Sequence, residues 1–390
     1  MKTLVSIVKC EDYFPERVGA AVKEAVDLIG GIEQFIQPGG RALLKPNLLS
    51  ARSPDDAVST HPAVIEAIID LVKSAEGTCS VGDSPSIGAE TPEGYMRLLR
   101  TTGMKDVLDR TGASPIRLDD FAFEHEVPDA GVFKRILLSK AVFDTDLLIS
   151  VPKFKTHALM VFTGAVKNLY GCIPGRRKVA YHLQVGDNIE MFAQVLVDLL
   201  RAVRPGLSIM DGITGMDGQG PSCGRKRNLG LIMASADPVA LDAVSCMAAG
   251  IDPLSVPVLR LAAEQGLGVA DPADIDVVGL HVKDVLIPDF QLSPREDLVN
   301  QMPKFLYRML QNQLVHRPTF LHEKCTGCRS CAKMCPVSAI SGKGKQLEFD
   351  YTSCIRCYCC QEVCHFEAIR LRSGFLRSSI DALRSIRRRK

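Results

Sequence analysis

From Leu4 to about Leu280 short apolar runs alternate with stretches in which apolar residues recur every three or four positions. LVSIVKC (4–10) precedes a helical pattern over 18–36, RALLKPNLL (41–49) one over 62–75, and TCSVGDSP (78–85) one over 92–108. DLLISVP (146–152), GLSIMDG (206–212), NLGLIMAS (228–235) and DIDVVGL (274–280) read as further strands, with helices expected near 188–203, 238–249 and 254–265. Runs of this length suit buried strands, and their alternation with helical periods signals βαβ crossovers. The pattern predicts one α/β domain over 1–282, built on a mainly parallel, doubly wound sheet. Residues 124–140 (EHEVPDAGVFKRILLSK) break the rhythm, and their two polar–apolar segments predict a hairpin inserted at an edge.

The rhythm is lost over 283–318, which holds Pro288, Pro294, Pro303, Pro318 and an amphipathic stretch at 304–315. This segment is read as a linker. Beyond it, 319–371 is expected to form a small α+β ferredoxin-like unit, and 372–390 a basic amphipathic tail. The net charge is only +2, yet the last twenty residues hold seven basic side chains against Asp381, a net +6 that leaves −4 for everything before. Such a tail suits an anionic membrane surface or an acidic partner, but a helix packed on its own domain is the favoured reading. With no Trp in the chain and only Phe375 in the tail, no specific nucleic-acid partner is expected. No run approaches the roughly 18 apolar residues of a membrane span, and the first residues are too short an apolar run for a secretion signal, so a cytoplasmic protein is expected.

Nine of the fourteen cysteines fall between Cys325 and Cys364. Cys325, Cys328, Cys331 and Cys335, with Pro336 after them, form C-x2-C-x2-C-x3-C-P; Cys354, Cys357, Cys360 and Cys364 repeat the spacing. Zinc sites usually pair two C-x-x-C units at a distance, which argues against zinc for so compact a pattern. Three thiolates at this spacing wrap one face of an iron–sulfur cubane, and the fourth reaches the other cluster. With CPVSAI and CHFEAI following the motifs, the segment resembles two-cluster bacterial ferredoxins over about fifty residues. That resemblance implies two [4Fe-4S] clusters, one on Cys325, Cys328, Cys331 and Cys364, the other on Cys335, Cys354, Cys357 and Cys360. It also implies a redox partner protein or another low-potential electron donor. Two residues depart from the pattern: His365 stands where proline is usual, and Cys359 is an extra thiol beside a ligand.

In open α/β sheets ligands bind beyond the carboxyl ends of the strands. The polar residues there are Lys45 and Asn47, Asp83, the K-x-K-x-H run Lys153, Lys155 and His157, and Asp211. Lys167 and Asn168 open a glycine-punctuated stretch (163–175) followed by Arg176, Arg177, Lys178 and His182, and a second glycine-rich stretch spans 211–227. Lysines beside such turns predict an anion site; Asp83, Asp211 and Asp217 would hold a divalent cation or relay protons. Lys153, Lys155, His157, Lys167 and Asp211 are the catalytic candidates, and Lys45, Asn47, Asp83 and Asn168 the binding candidates. Taken singly, each has an ordinary explanation in turns and helix caps; His61, before Pro62, is read as such a cap neighbour. Cys172 and Cys223 are read as inert small residues rather than nucleophiles.

KPNLL, VGDSP, VPKFKTH, AVKNLYGCIPG, DGITGMDGQGP and ASADPVALDAV also resemble a widespread family of uncharacterised prokaryotic iron-sulfur-centre proteins, whose domain of unknown function often precedes a ferredoxin unit. This implies shared architecture without a substrate. Three functions stay open: an oxidoreductase with a small anionic substrate at the rim, an adaptor that docks a partner enzyme, and a non-redox enzyme with a structural cluster domain.

Overall fold

We describe a computed structural model of the chain, covering residues 2–85, 89, 91–175, 177–186, 188–292, 315–372 and 374. The first half runs β1 (Thr3–Lys9), α1 (Pro15–Asp27), β2 (Arg41–Pro46), α2 (Pro62–Ser74), β3 (Thr78–Asp83), α3 (Pro92–Thr101), α4 (Met104–Thr111) and β4 (Ser114–Arg117). A hairpin of β5 (Ala122–Glu126) and β6 (Arg135–Ser139) follows, then β7 (Leu147–Val151), β8 (Lys153–His157), β9 (Val161–Thr163), α5 (Ala165–Asn168), α6 (Arg177–Val185) and α7 (Ile189–Val203). The domain closes with β10 (Leu207–Asp217), β11 (Arg225–Ser235), α8 (Pro238–Ala248), α9 (Pro257–Glu264) and β12 (Ile275–Gly279).

The sheet order is β12-β1-β11-β10-β7-β2-β3-β4, with β8 and β9 branching from β10. Neighbours on this path are parallel except β11, which runs against both β1 and β10. Side chains alternate across the central strands: Leu147, Ile149 and Val151 enter a core under α1, α2 and α4, whereas Leu148 enters the core with α7, α8 and α9. A sheet buried on both faces gives strands apolar at every position, which is why LLISV carries no polar–apolar alternation.

The expected hairpin forms, but as a two-stranded sheet of its own. Buried Asp198 on α7 holds its loop by accepting the amides of Gly131 and Val132 at 2.8 and 2.9 Å. The single helix expected over 92–108 is two, broken where Gly103 takes φ +72 between α3 and α4. The glycine-punctuated stretch at 163–175 is not an open loop: Asp242 accepts the amides of Ala165 and Val166 at 2.6 and 3.0 Å and caps α5 there. Likewise DGITGMD belongs to β10, which extends well past the expected end.

The C-terminal unit has β13 (Arg317–Phe320) paired with β16 (Ile369–Arg372), a hairpin of β14 (Ile340–Lys343) and β15 (Gln346–Phe349), and two short helices, α10 (Ser330–Met334) and α11 (Cys359–Glu362). Its halves repeat in backbone as well as sequence. Left-handed conformations fall at Gly327, Arg329 and Ser338 and again at Arg356, Tyr358 and Glu367. For residues other than glycine this costs about 1–2 kcal/mol each, so its recurrence marks loops bent to one required shape. Most of the linker (293–314) and the tail beyond Gly374 lie outside the described residues.

Candidate functional site

The ferredoxin unit sits on the strand-end rim of the α/β domain. Arg52 donates to the Cys364 carbonyl at 2.9 Å and meets Glu367 at 3.3 Å. Gln219 exchanges bonds with the backbone of Leu371, and Ser222 donates to the Gln361 carbonyl at 3.3 Å. The glycine-rich segment expected to cradle an anion is therefore largely a docking loop. Gly220 passes so close to β8 that a Cβ there would lie 2.1 Å from the Thr156 carbonyl oxygen.

Beneath the docked unit is a cavity of about 100 Å³. The α/β domain contributes Lys45, Asp83, Lys167, Asn168, Lys178 and His182; the ferredoxin unit contributes Met334, Cys359, Glu362 and Val363. A smaller space of about 40 Å³ adjoins it, sharing Asn47, Lys167, Asn168 and Glu362 and adding Lys153 and Lys155.

Strand periodicity places the K-x-K-x-H side chains on one face of β8. Lys153 meets Asp211 at 2.8 Å and donates to the Tyr13 hydroxyl at 2.6 Å, which in turn donates to Asp211 at 2.9 Å; the His61 amide donates to the same carboxylate. Lys153 and Asp211, both catalytic candidates, are thus tied to each other and to Tyr13 and His61 in a buried network. His61 caps α2 as read, its Nδ1 accepting the Ala63 amide, and its ring stacks on Tyr13 at 3.6 Å. Lys155 is buried and, among the described residues, donates only to the Val58 carbonyl at 2.7 Å; burial, then Lys167 and Lys153, hold it well below the ordinary lysine range. His157 accepts the amides of Leu159 and Met160 on Nδ1, which leaves the proton on Nε2. That nitrogen lies 2.9 Å from Glu362 but off the line of a good hydrogen bond, a contact of charge with dipole. Burial above all pushes His157 down to about 4, so it is neutral at pH 7. Burial acts to raise Glu362, but His157 and Lys167 outweigh it and hold the carboxyl at about 2.

Lys45 reaches Asp83 at 2.7 Å and the side-chain Oδ1 of Asn168 at 3.1 Å; Asn168 Nδ2 returns a bond to the Lys45 backbone carbonyl at 2.9 Å. Asn47 donates to Val58. Lys167 lies 6.0 Å from the Tyr170 ring centroid, and its pKa falls through burial. Lys178 and His182, two residues not among the chosen candidates, complete the wall because α6 folds back over the rim. Only their closeness in sequence to 163–175 hinted at this. Asp83, Asp211 and Asp217 are taken by Lys45, Lys153 and Arg225 with Arg227, and among the described residues no group of three His, Cys, Asp or Glu is gathered closely enough to hold a single metal ion. The divalent cation thus gains no support. Cys172 is core, driven up to about 12 by burial, and Cys223 is covered by docking of Arg370.

The cysteines of the C-terminal unit gather in two crossed sets. Cys331 has Cys364, Cys328 and Cys325 as electrostatic neighbours, Cys335 has Cys357 and Cys354, and Cys360 has Cys357, Cys354, Cys331 and Cys335. An apolar hollow is lined by Cys335, Cys354, Cys357 and Cys360 with Val337, Ile340 and Phe349. The crossing thiols each accept one amide at 3.2 Å, Ala339 to Cys335 and Ala368 to Cys364. Such N–H···S bonds orient and tune cluster ligands, so the donor set fits a pair of cubanes.

A family model described as Domain of unknown function (DUF362) matches residues 42–247, more than half of the chain. The chain belongs to this family. A 4Fe-4S dicluster domain matches residues 317–365, so the DUF362 protein binds iron–sulfur clusters of the [4Fe-4S] type. It is 33% identical over 293 residues to the Thylakoid-associated protein sll1697 of Synechocystis sp. (strain ATCC 27184 / PCC 6803 / Kazusa), covering 74% of this chain and 87% of the relative. The lactate racemase apoprotein of Thermoanaerobacterium thermosaccharolyticum matches 62% of this chain and 56% of its own at 12% identity and a TM-score of 0.41. Among the described residues no helix is long and apolar enough to cross a membrane.

Proposed function

We propose that the chain is an iron–sulfur oxidoreductase. Cys325, Cys328, Cys331 and Cys364 hold one [4Fe-4S] cluster and Cys335, Cys354, Cys357 and Cys360 the second, and electrons pass between this unit and a small molecule in the cavity beneath it. One observation carries this reading. The cavity is walled on one side by rim residues of the DUF362 domain and on the other by Cys359 and Glu362, from the turn that also bears Cys357 and Cys360.

When bound, the clusters supply storage and passage of single electrons. The chain's own residues do the rest. The docked unit walls one side of the cavity, and the burial of its lining strengthens the charge interactions there. The Lys45–Asp83 pair and Asn168 fix the floor, His157 and Glu362 tie the two walls together, and Lys167 presents an amine to the bound molecule. Cys328 is exposed whereas Cys357 and Cys360 are buried. That exposed thiol marks the side open to a donor protein, while Cys360 adjoins Cys359 at the cavity wall. An adaptor serving a separate enzyme has no use for a cavity lined by both of its own units.

Iron and acid-labile sulfide should each reach about eight per chain; zinc without sulfide would overturn the cluster assignment. Anaerobic protein reduced by a low-potential donor should be reoxidised by one of a set of small metabolites, followed by visible absorbance. Lys167→Ala should slow that reoxidation at least about tenfold, the loss of roughly 1.4 kcal/mol of binding or positioning. Equal rates with every metabolite tried would remove the cavity from the reading.

A further inference from the structure

The cavity and its annex hold more buried positive charge than the protein balances. Lys45 and Lys153 have carboxylate partners at 2.7 and 2.8 Å. Lys155, Lys167 and Lys178 form no ion pair among the described residues. Lys178 donates to the carbonyl and hydroxyl of Ser84 at 2.7 and 2.5 Å, Lys155 to the Val58 carbonyl, and Lys167 only faces the Tyr170 ring. One carboxylate, Glu362, lines both spaces, and its near oxygen lies against His157. Of the carboxylates near Lys178, Asp83 is paired with Lys45 and Asp119 is engaged by the Ser84 hydroxyl and the Gly175 amide. Ammonium groups out of water without an anion are costly, so either they give up their protons or an anion joins them.

His182 makes a second, independent observation. Its ring stacks on Phe192 at 4.2 Å, it is 6% exposed, and it lines the cavity, yet its buried Nδ1 has no hydrogen-bond partner among the described residues. Buried polar atoms in folded proteins nearly always have partners, so a lone one beside a cavity points to a ligand. At about 100 Å³ the space is far below the roughly 300–1,000 Å³ of sites for drug-sized molecules, which restricts the ligand to a compact one.

We infer that the cavity binds a compact anion, a carboxylate or phosphate carrying one or two negative charges, clasped by Lys167 and Lys178 with His182 Nδ1 as a further polar contact. This rests on the proposed function and names the class of molecule that meets the electrons. Anion binding should also draw in a proton. Burial holds Lys178 down at about 8, against Asp83 and Asp119, which raise it, and Lys45, which adds to the depression; Cys172 is the remaining titratable neighbour. Above pH 8 the anion must therefore restore the ammonium that it binds.

The test is calorimetric titration of anaerobically purified, cluster-loaded full-length protein with formate, acetate, oxalate and inorganic phosphate at millimolar concentration, with acetamide as the neutral match to acetate. At least one anion should bind, acetamide should not, and the dissociation constant should rise toward tenfold per pH unit above pH 8. Lys178→Met should weaken binding at least tenfold and flatten that pH dependence, and Lys167→Met should weaken it at least tenfold, while exposed Lys23→Met changes neither. Acetamide binding as tightly as acetate, no binding of any of the four anions, or an unchanged constant in Lys178→Met overturns the inference. If Lys178→Met fails to fold, the acetamide comparison and the wild-type pH dependence decide alone. Anion binding that leaves cluster reoxidation untouched overturns the electron-transfer reading and keeps the anion site. Lys167-dependent reoxidation by a neutral molecule, with no anion bound, does the reverse.

Discussion

Gly171→Ala gives the sharpest test of how the cavity floor is built. A Cβ at this position would lie 2.0 Å from Asp83 Oδ1 and 2.5 Å from Lys45 Nζ. Asp83 has little freedom to retreat: it accepts the Leu48 amide at 2.8 Å and the Ser84 amide at 2.9 Å, and the Gly171 carbonyl itself accepts the Ser84 amide at 3.1 Å. The backbone imposes nothing here, since Gly171 is not in the left-handed region. Overpacking costs about 1–3 kcal/mol and loss of a buried pair about 3–5 kcal/mol, so a partial displacement should cost about 3 kcal/mol. That is a factor of roughly 150 in the folding equilibrium. Because the chain lacks tryptophan, anaerobic denaturant unfolding is best followed by circular dichroism. Gly19→Ala, in α1 with nothing within 4 Å of its Cβ, is the control and should stabilise by about 0.5–1 kcal/mol. In an Asp83→Ala background the cost of Gly171→Ala should fall by at least about 1 kcal/mol, a coupling that the double-mutant cycle isolates. An equal cost in both backgrounds would refute the clash with Asp83 as its cause.

Arg52→Ala removes the bonds to the Cys364 carbonyl and Glu367, about 1.5–3 kcal/mol of contact between the two units; cluster absorbance should bleach about tenfold faster in a chelator, and an unchanged rate would count against docking through this arginine. Asp198→Ala should destabilise by about 2–3 kcal/mol and strip hydrogen-exchange protection from the Gly131 and Val132 amides, leaving β10 protected. For Lys178, whose folded pKa of about 8 lies below the ordinary 10.5, the unfolded chain holds the proton longer as pH rises. Stability should therefore increase between pH 8 and 10.5, by at most about 3 kcal/mol, and the difference between wild type and Lys178→Met should carry that slope; parallel stability–pH curves for the two would show the amine to be unperturbed.

Much was legible without coordinates. The strand and helix alternation placed nearly every central strand, because a sheet covered on both faces demands unbroken apolar runs and helices demand a repeat near 3.6. The cysteine spacing likewise identified the [4Fe-4S] unit, since such ligands lie on a few adjacent turns and their spacing follows their geometry. K-x-K-x-H told that three polar groups share a face, but not which of them are free. Only the fold set Asp211 against Lys153, leaving Lys155 and Lys167 without an ion pair among the described residues. Glycine composition misled at 211–227: some of those glycines lie in β10, and others let a docking loop pass close to β8, uses that composition does not separate. Local sequence determines local geometry, whereas the balance of charge in a cavity depends on residues far apart in the chain. Lys178 and Cys359 lie 181 positions apart and line one space only because the C-terminal unit docks on the rim.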